Sequence, residues 1–297
     1  MTSVFIDGGS GTTGLEIRER LSNRADLSVI VLGEERRKDA AARREALNDA
    51  DFVILCLPDD AAREAVALIH NGRTRVIDAS SAHRVAAGWT YGFPELGHDV
   101  ASAHRVSNPG CYPTGFLALV APLVRAGLIQ GDRMLSVHAA SGYSGGGKAM
   151  IAEFEAANPP AFRAYALGLA HKHVGEMTRH AGLTNPPIFA PAVANTYRGM
   201  IVEVPLSSTS LSQVEDVLRQ AYHGSSVVRV ASGNISSIAI EEHAGTDAMT
   251  LRVCGNAATG QARLVATLDN LGKGAAGAAV QNLNLMAGLD PLAGLVL

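Results

Sequence analysis

The sequence predicts two fold classes in one chain: a doubly wound α/β unit with a parallel sheet, then an α+β unit with a mainly antiparallel sheet. Three observations predict this. Short apolar runs alternate with amphipathic stretches through the first eighty residues, a glycine cluster joins the first run to the first helical stretch, and strand-like runs dominate from about residue 187 onward. SVFID (3–7), LSVIVL (27–32), DFVILCL (51–57) and TRVIDAS (74–80) have the length and apolar continuity of buried strands. Between them TGLEIRERL (13–21), KDAAARREALN (38–48) and DAAREAVALIH (60–70) carry helical spacing. Strand, helix and strand in short succession require a parallel sheet with right-handed crossovers.

The pattern changes at residue 111. A helix over 112–127 precedes a strand in DRMLSVHAA and a glycine-rich loop. PIFAPAVA, GMIVEVPL, SVVRVA, AMTLRVCGN and ARLVATLD then read as strands, with one helix, LSQVEDVLRQAYH, among them. An Ala/Gly-rich helix in LGKGAAGAAVQNLNLMAGL closes the chain. The expected boundaries are 1–110 with 272–297 for a dinucleotide-binding domain, and 111–271 for a catalytic and oligomerisation domain.

Composition narrows the function. In 297 residues, 47% hydrophobic and 18% charged side chains suit a globular protein with two cores. A net charge of -3 argues against nucleic acid or an anionic membrane as the main partner. No apolar run approaches the roughly 20 residues of a membrane span, and the opening MTSVFIDGG lacks the pattern of a signal peptide. Three widely spaced cysteines do not make a disulfide framework. A cytoplasmic protein is expected.

Strand one runs straight into GGSGTTG (8–14). Gly8, Gly11 and Gly14 fit a variant of the Rossmann fingerprint: the first glycine permits the turn, the second admits a pyrophosphate and the third packs helix on sheet. Ser10, Thr12 and Thr13 share that turn, so Gly8, Ser10, Gly11, Thr12, Thr13 and Gly14 are the candidate cofactor contacts. At the end of strand two, GEERRKD offers Glu34 or Glu35 to a ribose hydroxyl, or Arg36, Arg37 and Lys38 to a 2′-phosphate. The cations tilt the expectation toward NADP(H), although a solvated charge run reads equally well.

VSNPGCYPTG (106–115) puts a thiol where a Pro-Gly break opens a helix. The unpaired N–H groups and positive dipole end of a helix start favour a thiolate, so Cys111 is a candidate nucleophile. Cys56 and Cys254, inside apolar strands, read as small core residues. A thiolate wants an imidazole, and HKHVGEM (171–177) offers two. In a helix His173 and Glu176 share a face, whereas His171 points elsewhere. Glu176 and His180 have the spacing of a helical metal pair, but no metal site is expected. The loop SGYSGGGK (141–148), with Lys148, could bind an anion or be an ordinary flexible loop.

Together GGSGTTG, SNPGCYPTG, SGYSGGGK, HKHVGEM, YRGM and KGAAGAAVQNLNLM resemble the N-acetyl-γ-glutamyl-phosphate reductases, in their more compact branch. Aspartate-semialdehyde dehydrogenases share the glycine loop and cysteine but place asparagine directly before the thiol. The resemblance implies a Rossmann-type domain, NADP(H), and reduction of an acyl phosphate to a semialdehyde in arginine biosynthesis. By it Cys111 is the nucleophile, the acid/base is His171 or His173, with helical geometry favouring His173, and Glu176 takes the place of the family's acid. It further implies phosphate release, a homo-oligomer (dimer or tetramer), and Asn282 at the nicotinamide carboxamide. Arg84, Arg163 and Arg198 are candidate cations for substrate carboxylate and phosphate, each also readable as a surface arginine. Two departures stand out: Asp7 directly before the glycines, and HVGE where Thr-Pro is commoner. The rivals are a sister reductase of aspartyl or aminoadipyl phosphate, a non-catalytic NADP-binding regulator and a cysteine hydrolase.

Overall fold

The computed structural model describes residues 1–33, 35–36, 39–207, 210–232 and 235–297. The chain divides into two compact units, 1–109 with 275–295 and 110–274 with 296–297.

The first unit opens with β1 (Thr2–Asp7), α1 (Thr12–Leu21), β2 (Leu27–Ile30), α2 (Ala40–Asp49), β3 (Phe52–Leu55), α3 (Asp59–Ala67) and β4 (Arg75–Asp78). Two short strands follow, β5 (Thr90–Tyr91) and β6 (Arg105–Ser107). The sheet order is β2-β1-β3-β4-β6-β5, and every pairing is parallel. The order reverses between β1 and β3, which places the ligand crevice of such a sheet outside their carboxyl ends. Alternate residues of the same strands feed opposite faces: Val4, Ile6, Ile54 and Ile77 one core, Phe5, Val53, Leu55 and Val76 the other. That two-sided burial explains the apolar runs. β5 and β6 are too short to show a period, and sequence alone gave no strand there.

The second unit comprises α4 (Cys111–Arg125), β7 (Ser136–Gly142), α5 (Gly147–Phe154), β8 (Phe162–Ala164), α6 (Val174–Ala181), β9 (Ile188–Ala194) and β10 (Met200–Leu206). It continues with α7 (Leu211–Ala221), β11 (Val228–Ala231), β12 (Met249–Asn256) and β13 (Gln261–Leu268). The order is β11-β12-β13-β10-β7-β9-β8. Pairing is antiparallel except for β11 with β12 and β7 with β9, so the sheet is mixed with an antiparallel majority. In β10, Met200, Val202, Val204 and Leu206 are buried, while Ile201, Glu203 and Pro205 turn to the other face. α4 is buried from Tyr112 to Leu123 and packs on β10, β13, α6 and α7. The chain then passes through a π-helical turn, Gly272–Ala276, into α8 (Gly277–Ala287), which joins the core of the first unit. Among the described residues no helix is long and apolar enough to cross a membrane.

Candidate active site

Cys111 is the first residue of α4 and Gly110 is the N-cap. A glycine cap has no side chain to occupy the first-turn N–H groups, so their partial positive charge faces the thiol's surroundings. The Gly110 N–H donates to Glu176 Oε2 at 3.2 Å, and Glu176 Oε1 lies 3.9 Å from His173 Nε2. One buried carboxylate thus ties the helix start to an imidazole. Gly274 completes the wall: a Cβ there would come within 2.9 Å of both Cys111 Cβ and the Asp269 carbonyl oxygen.

The two histidines do not diverge, contrary to the helical expectation. α6 begins only at Val174, with His173 as its N-cap, so helical spacing does not govern residues 171–173. The His173 N–H donates to His171 Nδ1 at 3.1 Å, and the two rings lie 4.6 Å apart. Tyr165 Oη is 3.4 Å from both His171 Nε2 and Tyr112 Oη, and Tyr112 Oη donates to the Ala192 carbonyl at 2.9 Å. Burial, reinforced by the nearby Cys111 charge, pushes the Tyr165 hydroxyl up to about 12 and raises Tyr112 as well. Both phenols keep their protons near neutral pH. Among the described residues no three His, Cys, Asp or Glu side chains are grouped to hold a metal ion.

The loop SGYSGGGK is tied down. Asn270 Nδ2 donates to Ser144 Oγ at 2.8 Å while Asn270 Oδ1 accepts the Gly199 N–H at 3.0 Å, which links this loop to YRGM. Lys148 is exposed on α5. Arg198 is not a surface arginine: it faces the buried Asp269 carboxylate at 3.5 Å and lies over the Tyr197 ring. Asp269 also accepts the N–H groups of Leu271 and Gly272, at 2.6 and 2.9 Å. Arg163, on β8, pairs with Glu153 at 2.9 Å and lies 5.0 Å from the Phe154 ring centre. The residues sequence reasoning missed here, Tyr165, Asn270 and Asp269, carry no local pattern; Tyr165 stands two positions from Arg163, which its charge singled out.

In the first unit, Gly8 has φ +84°, and a Cβ on it would overlap the Cys56 carbonyl at the end of β3. Gly14 meets Gly8 O in the same way, and the Gly11 N–H donates to Gly8 O at 3.0 Å. α1 starts at Thr12 without a side-chain cap and without an acid in its first turn, which suits a pyrophosphate. Ser10, Gly8 and Gly9 line a cavity of about 370 Å³ with Val31, Leu32 and Leu57 as apolar walls and Arg18 and Arg43 as cations. A nucleotide suits this cradle, whose tight turn holds its shape because Cβ atoms on Gly8 and Gly14 would strike backbone carbonyls. Asp7 lines the cavity too: Arg43 Nε donates to it at 2.7 Å, and burial raises its carboxyl despite that cation. Its presence before the glycines is therefore answered by α2. Glu34, Arg37 and Lys38 lie outside the described residues; Glu35 is exposed, and Arg36 is an exposed partner of Glu45.

Asn282 is fully buried. Its Nδ2 donates to Gly92 O and Asn108 Oδ1, both at 3.0 Å, while Oδ1 has no hydrogen-bond partner among the described residues. A buried acceptor left open suits a carboxamide N–H. Arg84 is likewise buried, donating to the carbonyls of Asn108 and Ala79 at 3.0 and 3.2 Å. Beside it, Asp78 at the end of β4 holds His83 Nδ1 at 2.6 Å, and that ring stacks on Trp89.

Residues 3–104 match the family described as semialdehyde dehydrogenase, NAD binding domain, and residues 111–270 match semialdehyde dehydrogenase, dimerisation domain. The chain is 49% identical over 305 residues to N-acetyl-gamma-glutamyl-phosphate reductase 2 of Pseudomonas putida, covering 96% of each chain. It is 45% identical to N-acetyl-gamma-glutamyl-phosphate reductase of Trichormus variabilis, over 98% of each, and 50% identical to that of Brucella ovis, over 96% of this chain and 98% of the other. Among solved structures, aspartate semialdehyde dehydrogenase II of Vibrio cholerae superposes with a TM-score of 0.73 at 16% identity, over 97% of this chain and 98% of that one. That likeness shows the fold; with near-half identity over almost the whole length, the chain belongs to the N-acetyl-gamma-glutamyl-phosphate reductases of the semialdehyde dehydrogenase family.

Proposed function

We propose that this protein reduces N-acetyl-γ-glutamyl phosphate to N-acetylglutamate semialdehyde and phosphate with NADPH, a step of arginine biosynthesis, through a thioester on Cys111. The observation that carries the reading is a thiol on the first turn of α4, whose N-cap amide and a neighbouring imidazole share one buried carboxylate.

The Cys111 sulfur attacks the acyl carbon and the carbonyl electrons move to oxygen. First-turn N–H groups of α4 face that oxyanion, where fixed dipoles are worth most. As the carbonyl re-forms, phosphate leaves with the bonding pair and an acyl thioester remains on the sulfur. When bound, the nicotinamide supplies the hydride that this carbonyl carbon receives. His173 gives a proton to the resulting alkoxide and takes it back as the carbon–sulfur bond breaks, which frees the semialdehyde and restores the thiolate. Sulfur serves because it attacks well near neutral pH and leaves well afterwards. Asn282 Oδ1, Ser10 and the glycine turn hold the dinucleotide. Arg163 and Arg198 are the cations for the substrate's carboxylate and phosphate in the second unit, and Arg84 is the candidate in the first. The second unit pairs with a second copy to form a homodimer or a larger oligomer.

The test runs the reaction backward: phosphate-dependent reduction of NADP by N-acetylglutamate semialdehyde. Cys111→Ser abolishes turnover and leaves the dissociation constant for NADP within about twofold, because the thiol is no part of the glycine cradle. Normal turnover by that variant overturns covalent catalysis.

A further inference from the structure

The geometry points to His171 as a positioning residue: a directed hydrogen-bond chain from the His173 amide through His171, Tyr165 and Tyr112 to the Ala192 carbonyl holds its ring neutral with the proton on Nε2, and leaves His173 as the ring that exchanges protons. This rests on the acyl-phosphate reading above, which asks for one acid/base but finds two imidazoles 4.6 Å apart.

The two ends of the chain set its direction. A backbone N–H can only donate, so the contact of His173 N with His171 Nδ1, 3.1 Å, requires a lone pair on Nδ1. The neutral ring then carries its proton on Nε2, which donates to Tyr165 Oη at 3.4 Å. At the far end a carbonyl can only accept, so the Tyr112 hydroxyl proton points at Ala192 O, 2.9 Å away. Tyr112 has no second proton to give, so Tyr165 must be the donor across the 3.4 Å between the two phenols. The links through Tyr165 are long, and their polarity matters more than their strength. A proton added to His171 Nδ1 would oppose the His173 N–H head-on. Tyr112 of α4, Tyr165 after β8 and His173 before α6 stand against the ring with Phe189 of β9 edge-on; the Cys111 charge acts on both phenols, and Glu176 lies 3.9 Å from His173. Burial raises both phenols, so they stay protonated while the site works.

The chain also explains a shape. By accepting the His173 N–H, His171 satisfies a donor at the N-terminus of α6, as a capping side chain would. It thereby fixes the backbone that carries the His173 ring toward Glu176. An Asn side-chain oxygen can accept the same N–H; a hydrocarbon cannot.

Nitrogen-15 NMR of the full chain labelled in histidine tests this without substrate. In the wild type His171 shows the Nε2–H tautomer with shifts that stay constant across the neutral range, while His173 titrates. In Tyr165→Phe the His171 resonance begins to move with pH, and the pH profile of kcat/KM gains a second ionisation while KM changes little. His171→Asn keeps activity within about tenfold of wild type and His171→Leu does not, whereas His173→Gln loses about 10²–10⁴-fold. A wild-type His171 that titrates, or His171→Asn as inactive as His173→Gln, overturns the proposal. Full activity in His173→Gln overturns the assignment of the proton to that ring. Failure of the acyl-phosphate reading would look different: wild-type protein without turnover, whatever the resonances show.

Discussion

Cys56 and Cys111 place one residue type in two different surroundings. Cys56 follows β3, half-buried against the apolar core with the carboxylates of Asp78 and Asp7 nearby, and burial first and those charges second push its thiol up to about 12. At pH 8 that leaves roughly one molecule in ten thousand as the reactive thiolate. Cys111 is equally half-buried but stands at a helix start whose N-cap amide is tied to Glu176, the partner of His173. Brief treatment with iodoacetamide at pH 8, read by peptide mass spectrometry, is therefore expected to alkylate Cys111 and spare Cys56; equal labelling would mean the environment does not separate them. Asp7 is a second case of environment deciding chemistry. Its place before the glycines has no reason in the sequence, and the Arg43 guanidinium supplies one from 36 positions away.

α4, which opens with Cys111, is held from every side. Its apolar residues do not form a stripe but surround it, as a helix central to its domain requires. Close approach to β10 depends on Gly115, where a Cβ would come within 2.8 Å of Val202 Cγ2. Gly115→Ala is expected to lose about 1–3 kcal/mol through overpacking, seen as a lower midpoint in urea unfolding, together with a fall in kcat as Cys111 shifts. An unchanged midpoint would show that the β10 face can yield. The start of α6 teaches the complementary lesson. HKHVGEM has helical spacing between His173 and Glu176, and that relation holds at 3.9 Å. Extending the same period back to His171 fails because the helix begins one residue after His173. Spacing predicts which side chains share a face only inside the element, and a helix boundary is where sequence speaks least clearly.

Across the whole molecule, the mixed sheet of the second unit keeps α4 on one face and leaves the other with Phe162, Leu167, Leu169, Ile201 and Ile238 lining an apolar cavity of about 540 Å³. Leu167 is 80% exposed. Sedimentation is expected to show an oligomer, and Leu167→Asp to weaken the association roughly tenfold or more, since burying one leucine is worth about 1.5–3 kcal/mol. A wild-type monomer at micromolar concentration would remove this face as an interface. The sequence by itself determined the two classes of sheet, the glycine turn between β1 and α1, and the placing of Cys111 at the opening of a helix. These are local matters: period, cap and turn residues act over a few positions, and each leaves its mark in the adjacent letters. Only the tertiary structure decided that His171 and His173 come together, which loop Asn270 ties to which, and why Asp7 is tolerated. Those answers depend on partners tens of residues apart in the chain, and a hydrogen bond's direction is fixed by where its ends come to rest.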